Sequence, residues 1–163
     1  MADKKRKSLI TTGTVARNKK ASFNFFLEEK FEAGLALLGS EVKSLREGHA
    51  SITEAYVSAE DGGLFLVNAN IQEYSGSSFF QHKPTRPRRL LLHKKQLEKL
   101  LGAVAKKGYT IVPVSLYFND RGIAKLEIAL ATGKKNFDKR QTEKDRDWNR
   151  DKQRLLLNRS KGG

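Results

Sequence analysis

Residues 110–131 read TIVPVSLYFNDRGIAKLEIALA. Val112, Val114, Leu116 and Phe118 alternate with polar or smaller neighbours, and so do Leu126, Ile128 and Leu130. A period of two places alternate side chains on one face of a strand. Asn119, Asp120 and Gly122 are turn formers, so the stretch predicts an antiparallel hairpin. Pro113 has no N–H to give a ladder and is expected at an edge or a bulge.

Upstream, LLLHKKQLEKLLGAVAKKG (90–108) predicts a helix with Leu90, Leu97, Leu101 and Val104 as its apolar stripe and Gly108 as its C-cap. Residues 76–89, with two prolines, read as irregular. ITEAYVSA (52–59) and GLFLVNANI (63–71) predict a second hairpin closing at EDGG (60–63). GSEVKSLREG (39–48) reads as a short helix with Val42 and Leu45 inward and Gly48 as its stop. From Phe23 a long strand begins, with Phe25, Leu27, Phe31, Ala33, Leu35 and Leu37 on one face and Glu28, Lys30 and Glu32 on the other. Residues 1–13 read as disordered. The result is five or six antiparallel strands with two inserted helices and no βαβ rhythm. This is a mainly β class, a small closed barrel over residues 14–132.

Residues 133–163 differ in kind. Their large apolar residues are Phe137, Trp148 and Leu155–Leu157, too few to offset chain-ordering entropy. Yet they hold no proline and are rich in helix formers, and Trp148 and Leu155 share a helical face. The expectation is disorder in isolation and helix on binding.

Of the 163 residues 32 are Lys or Arg and 18 Asp or Glu, so the net charge is +14. It is clustered: residues 1–20, 83–95 and 133–163 each carry a net +6, leaving the remaining body acidic. Clustered cations release counterions on meeting phosphate, so a polyanionic partner is expected. There is no cysteine. That excludes disulfides, thiolate nucleophiles and Cys-bound metals, and it fits a reducing, cytoplasmic setting. No window is long and apolar enough to span a membrane. His49, His82 and His93 lack metal-ligand spacing, and no nucleophile elbow or P-loop occurs, so no enzyme, metal or cofactor is expected.

HKPTRPRR (82–89) is the strongest local polyanion signal. Its prolines stiffen the chain that carries Arg86, Arg88 and Arg89, and guanidinium forks suit phosphate. The alternative is a solvated basic loop. VARNKKASFNFF (15–26) sets Arg17, Asn18, Lys19 and Lys20 beside aromatics, a mix that grips backbone and stacks bases. Phe25 and Phe26 are equally readable as core. Glu32 lies on a polar strand face, where a carboxylate accepts from exocyclic amines or does nothing.

Three stretches together, RNKKASFNFFLEEKFEAGLALLGSEVKSLREG, PTRPRRLLLH and GKKNFDKR, resemble the SsrA-binding protein (SmpB) family over residues 10–157. The resemblance implies a six-stranded antiparallel barrel of OB-like topology with flanking helices. It implies binding to the tRNA-like domain of transfer-messenger RNA (tmRNA), entry into a stalled bacterial ribosome, and no chemistry by the protein itself. The implied RNA-facing residues are Asn18, Lys19, Phe25, Glu32, Leu91 and His93. Gly133, Lys134, Lys135, Phe137, Asp138, Lys139, Arg140 and Trp148 match the family's decoding tail, which implies folding in an mRNA channel left empty. Phe137 stands where many members have His; it keeps a π face but no donor. Phe25 replaces a common Tyr, losing a hydroxyl, and His93 stands where some members have Asn, another donor. The chain is expected to act as a monomer. Without the resemblance, a general structural RNA-binding protein is the competing expectation.

Overall fold

The computed structural model describes residues 9–76, 81–106, 108–133 and 144–155. In chain order the elements are β1 (Gly13–Arg17), α1 (Ala21–Asn24), β2 (Phe25–Leu35), α2 (Gly39–Arg46), β3 (Ala50–Ser51) and β4 (Tyr56–Glu60). They continue with β5 (Gly63–Val67), β6 (Asn70–Ile71), β7 (Arg88–Leu91), α3 (Lys94–Val104), β8 (Tyr109–Phe118) and β9 (Ala124–Gly133). All strand pairs are antiparallel. Among the described residues one seven-stranded sheet runs β1-β8-β9-β2-β7-β5-β4, and β3 pairs separately with β6. The mainly β class with flanking helices is as the periodicity indicates. Among the described residues no ladder joins the terminal strands β1 and β4.

The β8–β9 hairpin closes at a turn that Asn119 builds. Its side-chain oxygen accepts the N–H groups of Arg121 at 3.0 Å and Ile123 at 2.9 Å. Gly122, at φ +73°, adopts a backbone that side chains resist. The β4–β5 hairpin turns through Asp61 and Gly62, both at positive φ, as a two-residue turn requires.

The strand readings change where bulges intervene. Pro113 lies in an interior strand, between β1 and β9, and the register shifts between Pro113 and Ser115. A one-residue insertion exchanges the two faces. Ile111, Leu116 and Phe118 therefore face the main core, while Val112 joins a second, smaller cluster. A register shift between Leu27 and Glu29 does the same to β2. Phe31 and Ala33 enter the main core, but Phe25 and Leu27 pack outside it on Ala21, Val112 and Ala131. The expectation that all of these share one face is thus corrected.

Other boundaries move too. Strand β2 starts at Phe25, because Ala21–Asn24 forms one helical turn. Residues 52–59 and 63–71 do not pair along their whole length; β3 and β6 form their own short ladder. Residues 90–93 are not helical. Leu90 and Leu91 pair with Leu35 and Gly34, and α3 begins at Lys94 after an extended His93. Its deepest residue is Leu100, with Leu97, Leu101 and Val104 beside it. At the N-terminus, Ile10 packs on the core and its N–H reaches Arg46 O at 2.7 Å, and β1 begins at Gly13. Of the segment 1–13 expected to be disordered, residues 1–8 lie outside the described residues. Residues 144–155 are helical and exposed throughout.

Candidate nucleic-acid interface

The outward face of β8, β9, β2 and β7 is built by register. Glu32 stands across from Glu127, which stands across from Ser115. One step along, Tyr117 faces Lys125, Lys125 faces Gly34, and Gly34 faces Leu91. Lys30 Nζ lies 3.4 Å from Glu127 Oε1, and the Tyr117 hydroxyl donates to Glu32 Oε2. Burial first, then Glu32 and Glu127, push the Tyr117 phenol up, so it stays a protonated donor.

Two depressions open on this face. One is lined by Arg17, Asn18, Lys19, Lys30, Ser115 and Glu127 among others. The second is lined by Glu32, Leu91, Leu92, His93, Gln96 and Lys125. Leu91 is 54% exposed although apolar. It reaches over Gly34, where an added Cβ would come within 3.2 Å of Leu91 Cβ. His93 is the extended N-cap of α3, exposed beside Lys94 and Lys95.

The candidate residues separate by role. Arg17 and Lys19 are exposed. Asn18 is buried: its Nδ2 donates to Pro113 O at 3.0 Å, and Oδ1 is enclosed with no partner among the described residues. Its geometry holds β1 to the bulge in β8. Phe25 is half-buried on its small cluster and lines a cleft with Asn18, Lys20, Thr53 and Tyr56. The core reading of Phe25 is met on one side, and the other side stays open.

HKPTRPRR is in part an internal strut, and this corrects the polyanion reading of Arg88. Arg88 is 0% exposed. Its Nε donates to Glu41 Oε2, its Nη1 to Ala69 O at 2.9 Å and its Nη2 to Pro84 O at 3.0 Å. Arg86 donates to Glu41 Oε1 and to Ala36 O. His82 is buried: Nε2 donates to Ile71 O at 2.8 Å, which leaves Nδ1 to accept from Ser40 Oγ at 2.9 Å. With each of its three nitrogens donating inside the fold, the Arg88 guanidinium has nothing to offer an external phosphate, whereas the Arg86 side chain is 32% exposed and its Nε has no partner among the described residues. Lys83 and Arg89 remain exposed, and Arg89 lies on the same outward side of β7 as Leu91.

In the tail, Gly133 ends β9 opposite Phe25, and Trp148 is 71% exposed on the 144–155 helix. Lys134, Lys135, Phe137, Asp138, Lys139 and Arg140 lie outside the described residues. Sequence reasoning missed Tyr117, Lys125 and Glu127. Their signal, polar residues alternating on strands, is shared by any solvated sheet face.

The SmpB protein family model matches residues 15–158, nearly the whole chain. This chain belongs to the SmpB family. Among its relatives, the SsrA-binding protein of Bradyrhizobium sp. (strain BTAi1) is 53% identical over 156 residues, 96% of this chain and 98% of that one. The SsrA-binding protein of Maricaulis maris is 58% identical over 147 residues, 90% of this chain and 94% of that one. A chain from a solved tmRNA-SmpB structure, concerned with the center of the bacterial ribosome, has 44% identity and a TM-score of 0.62, covering 77% of this chain and 86% of that chain. The face described above is thus the outer face of an SmpB-family sheet. No helix among the described residues is long and apolar enough to cross a membrane.

Proposed function

We infer that this chain binds tmRNA and acts with it on the bacterial ribosome in trans-translation. Membership of the SmpB family carries this reading, and the likeness to a solved tmRNA-SmpB chain supports it. On this reading the tRNA-like domain of tmRNA lies along the outer face of β8, β9, β2 and β7. Lys19, Arg17 and Arg89 meet phosphates. Glu32, Leu91 and His93 contact a base edge or ribose in the depression they line. The protein works by binding and placement in the cytoplasm, as a monomer, with no chemistry of its own.

The seven-stranded sheet is read as an OB-like barrel in which β4 comes round to β8; the two strands lie close, and Tyr56 lines a cleft with residues 110–113. The segment 133–163 is read as the element that folds in an empty mRNA channel. Its charge suits ribosomal RNA, and its 144–155 helix exposes Trp148 and Leu155 to a partner.

A competition titration tests the function. Labelled tRNA-like domain of tmRNA is bound by the full chain and challenged with excess bulk tRNA at physiological salt. Survival of the complex is expected. Displacement in proportion to the added tRNA would make binding mostly counterion release and would put general RNA binding in first place.

A further inference from the structure

Glu32 stands directly across from a second carboxylate, Glu127, on one face of the sheet. Like charges in that position are unfavourable. Each is held by a different neighbour, Glu127 by Lys30 and Glu32 by the Tyr117 hydroxyl. Tyr117 takes only Oε2, and Oε1 has no partner among the described residues. The same glutamate lines the depression with Leu91, His93, Gln96 and Lys125.

We propose that Tyr117 is a positioning residue for RNA binding: by clamping Oε2 it fixes the Glu32 side chain and leaves Oε1 as a lone acceptor for an N–H donor on a nucleobase edge. The proposal rests on reading this face as the tmRNA-binding surface. A glutamate on an exposed strand has three side-chain torsions and samples several rotamers. A hydroxyl clamp removes that freedom before RNA arrives, so less entropy is lost on binding. The donor is suitably placed for this, because Tyr117 sits on β8, two strands away from Glu32, and crosses β9 to reach it. The two strands flanking β9 thereby share one hydrogen bond, and Lys125 on β9 between them is left to the ligand. Tyr117 contributes through Glu32, whereas Lys19 and Arg89 would contribute through phosphate.

The test is a double-mutant cycle. Wild type, Tyr117→Phe, Glu32→Ala and the double variant, all as full chains, are titrated against labelled tRNA-like domain of tmRNA at several salt concentrations. Thermal unfolding of each is recorded. Tyr117→Phe is expected to weaken binding about 5- to 10-fold, the scale of ordering one flexible side chain at an interface. Glu32→Ala weakens it at least as much, and adding Tyr117→Phe to Glu32→Ala changes nothing further. The salt slope of Tyr117→Phe matches wild type, because no phosphate contact is removed, and its melting temperature falls by no more than the loss of one intramolecular hydrogen bond allows. Additive losses, a shallower salt slope, a larger fall in melting temperature or unchanged affinity would each overturn the proposal. Loss of wild-type selectivity against bulk tRNA would instead overturn the functional reading beneath it, and that is seen without any variant.

Discussion

Glu41 and Arg88 form an ion pair inside the protein, 47 residues apart in sequence and each with no exposed side chain. Glu41 also accepts from Arg86 and from the Leu38 N–H at 2.8 Å, so one carboxylate joins the start of α2 to the segment leading into β7. Burial alone would raise the Glu41 carboxyl. The Arg86, Leu38 and Arg88 hydrogen bonds outweigh burial and hold it below its usual range. Through Arg88 the same pair sets where Arg89 and Leu91 emerge on the outer face.

Removing one partner of such a pair strands the other charge. Arg88→Met is expected to lower unfolding free energy by roughly 3–5 kcal/mol, measured by denaturant titration. Replacing both partners, as Glu41→Leu with Arg88→Met, should recover much of that loss. A Arg88→Met variant as stable as wild type would rule out this account of the strut.

One residue further on, the outcome reverses. Arg89→Ala should leave stability within about 0.5 kcal/mol of wild type. It should weaken tmRNA binding and lower the magnitude of the salt slope by about 1. Equal effects at positions 88 and 89 would contradict the opposite directions assigned to these side chains.

The depressed Glu41 carboxyl gives stability a pH dependence of definite sign. Its contribution is complete above the unfolded carboxylate value, about 4.3, and is lost as pH falls through the lower folded value. Glu41→Gln should therefore reduce stability most near neutrality, and the gap to wild type should narrow on acidification. Melting temperatures between neutral pH and pH 3 check this. A gap that widens in acid would show the sign to be wrong.

Gly34 lets Leu91 lie across β2 toward Glu32. An added methyl meets Leu91 Cβ at 3.2 Å, closer than side chains ordinarily pack. Gly34→Ala should change stability by no more than about 1 kcal/mol while weakening RNA binding several-fold. Affinity unaffected by the substitution would mean that the placement of Leu91 is unimportant.

The tail and the sheet should separate functionally. Charge reversal at Lys134 and Lys135, or deletion of 133–163, is expected to leave affinity for tmRNA nearly intact and to abolish tagging on stalled ribosomes. A reconstituted tagging assay beside the binding titration decides it. Tagging unchanged by the deletion would end the channel-probing role of the tail.

What the sequence by itself determined is local. Period-two runs around Asn119–Gly122 and Asp61–Gly62 specify hairpins because turn chemistry and strand alternation act over a few residues. The basic clusters specify a polyanionic partner because counterion release depends on charge density. The family resemblance was legible in the runs around Glu32, Arg88 and Gly133. What the tertiary structure decided is which side each residue faces. Bulges at Leu27–Glu29 and Pro113–Ser115 turned Phe25, Leu27 and Val112 out of the main core, and nothing in the local pattern marks a one-residue phase change in β2. Arg88 and Arg89 are adjacent and identical in type, yet one is locked on Glu41 and the other is exposed. Successive strand residues point to opposite faces, and only the packing of α2 against the approach to β7 says which face is inside. The Tyr117–Glu32 hydrogen bond is of the same kind: strand order and register brought the two together from 85 residues apart.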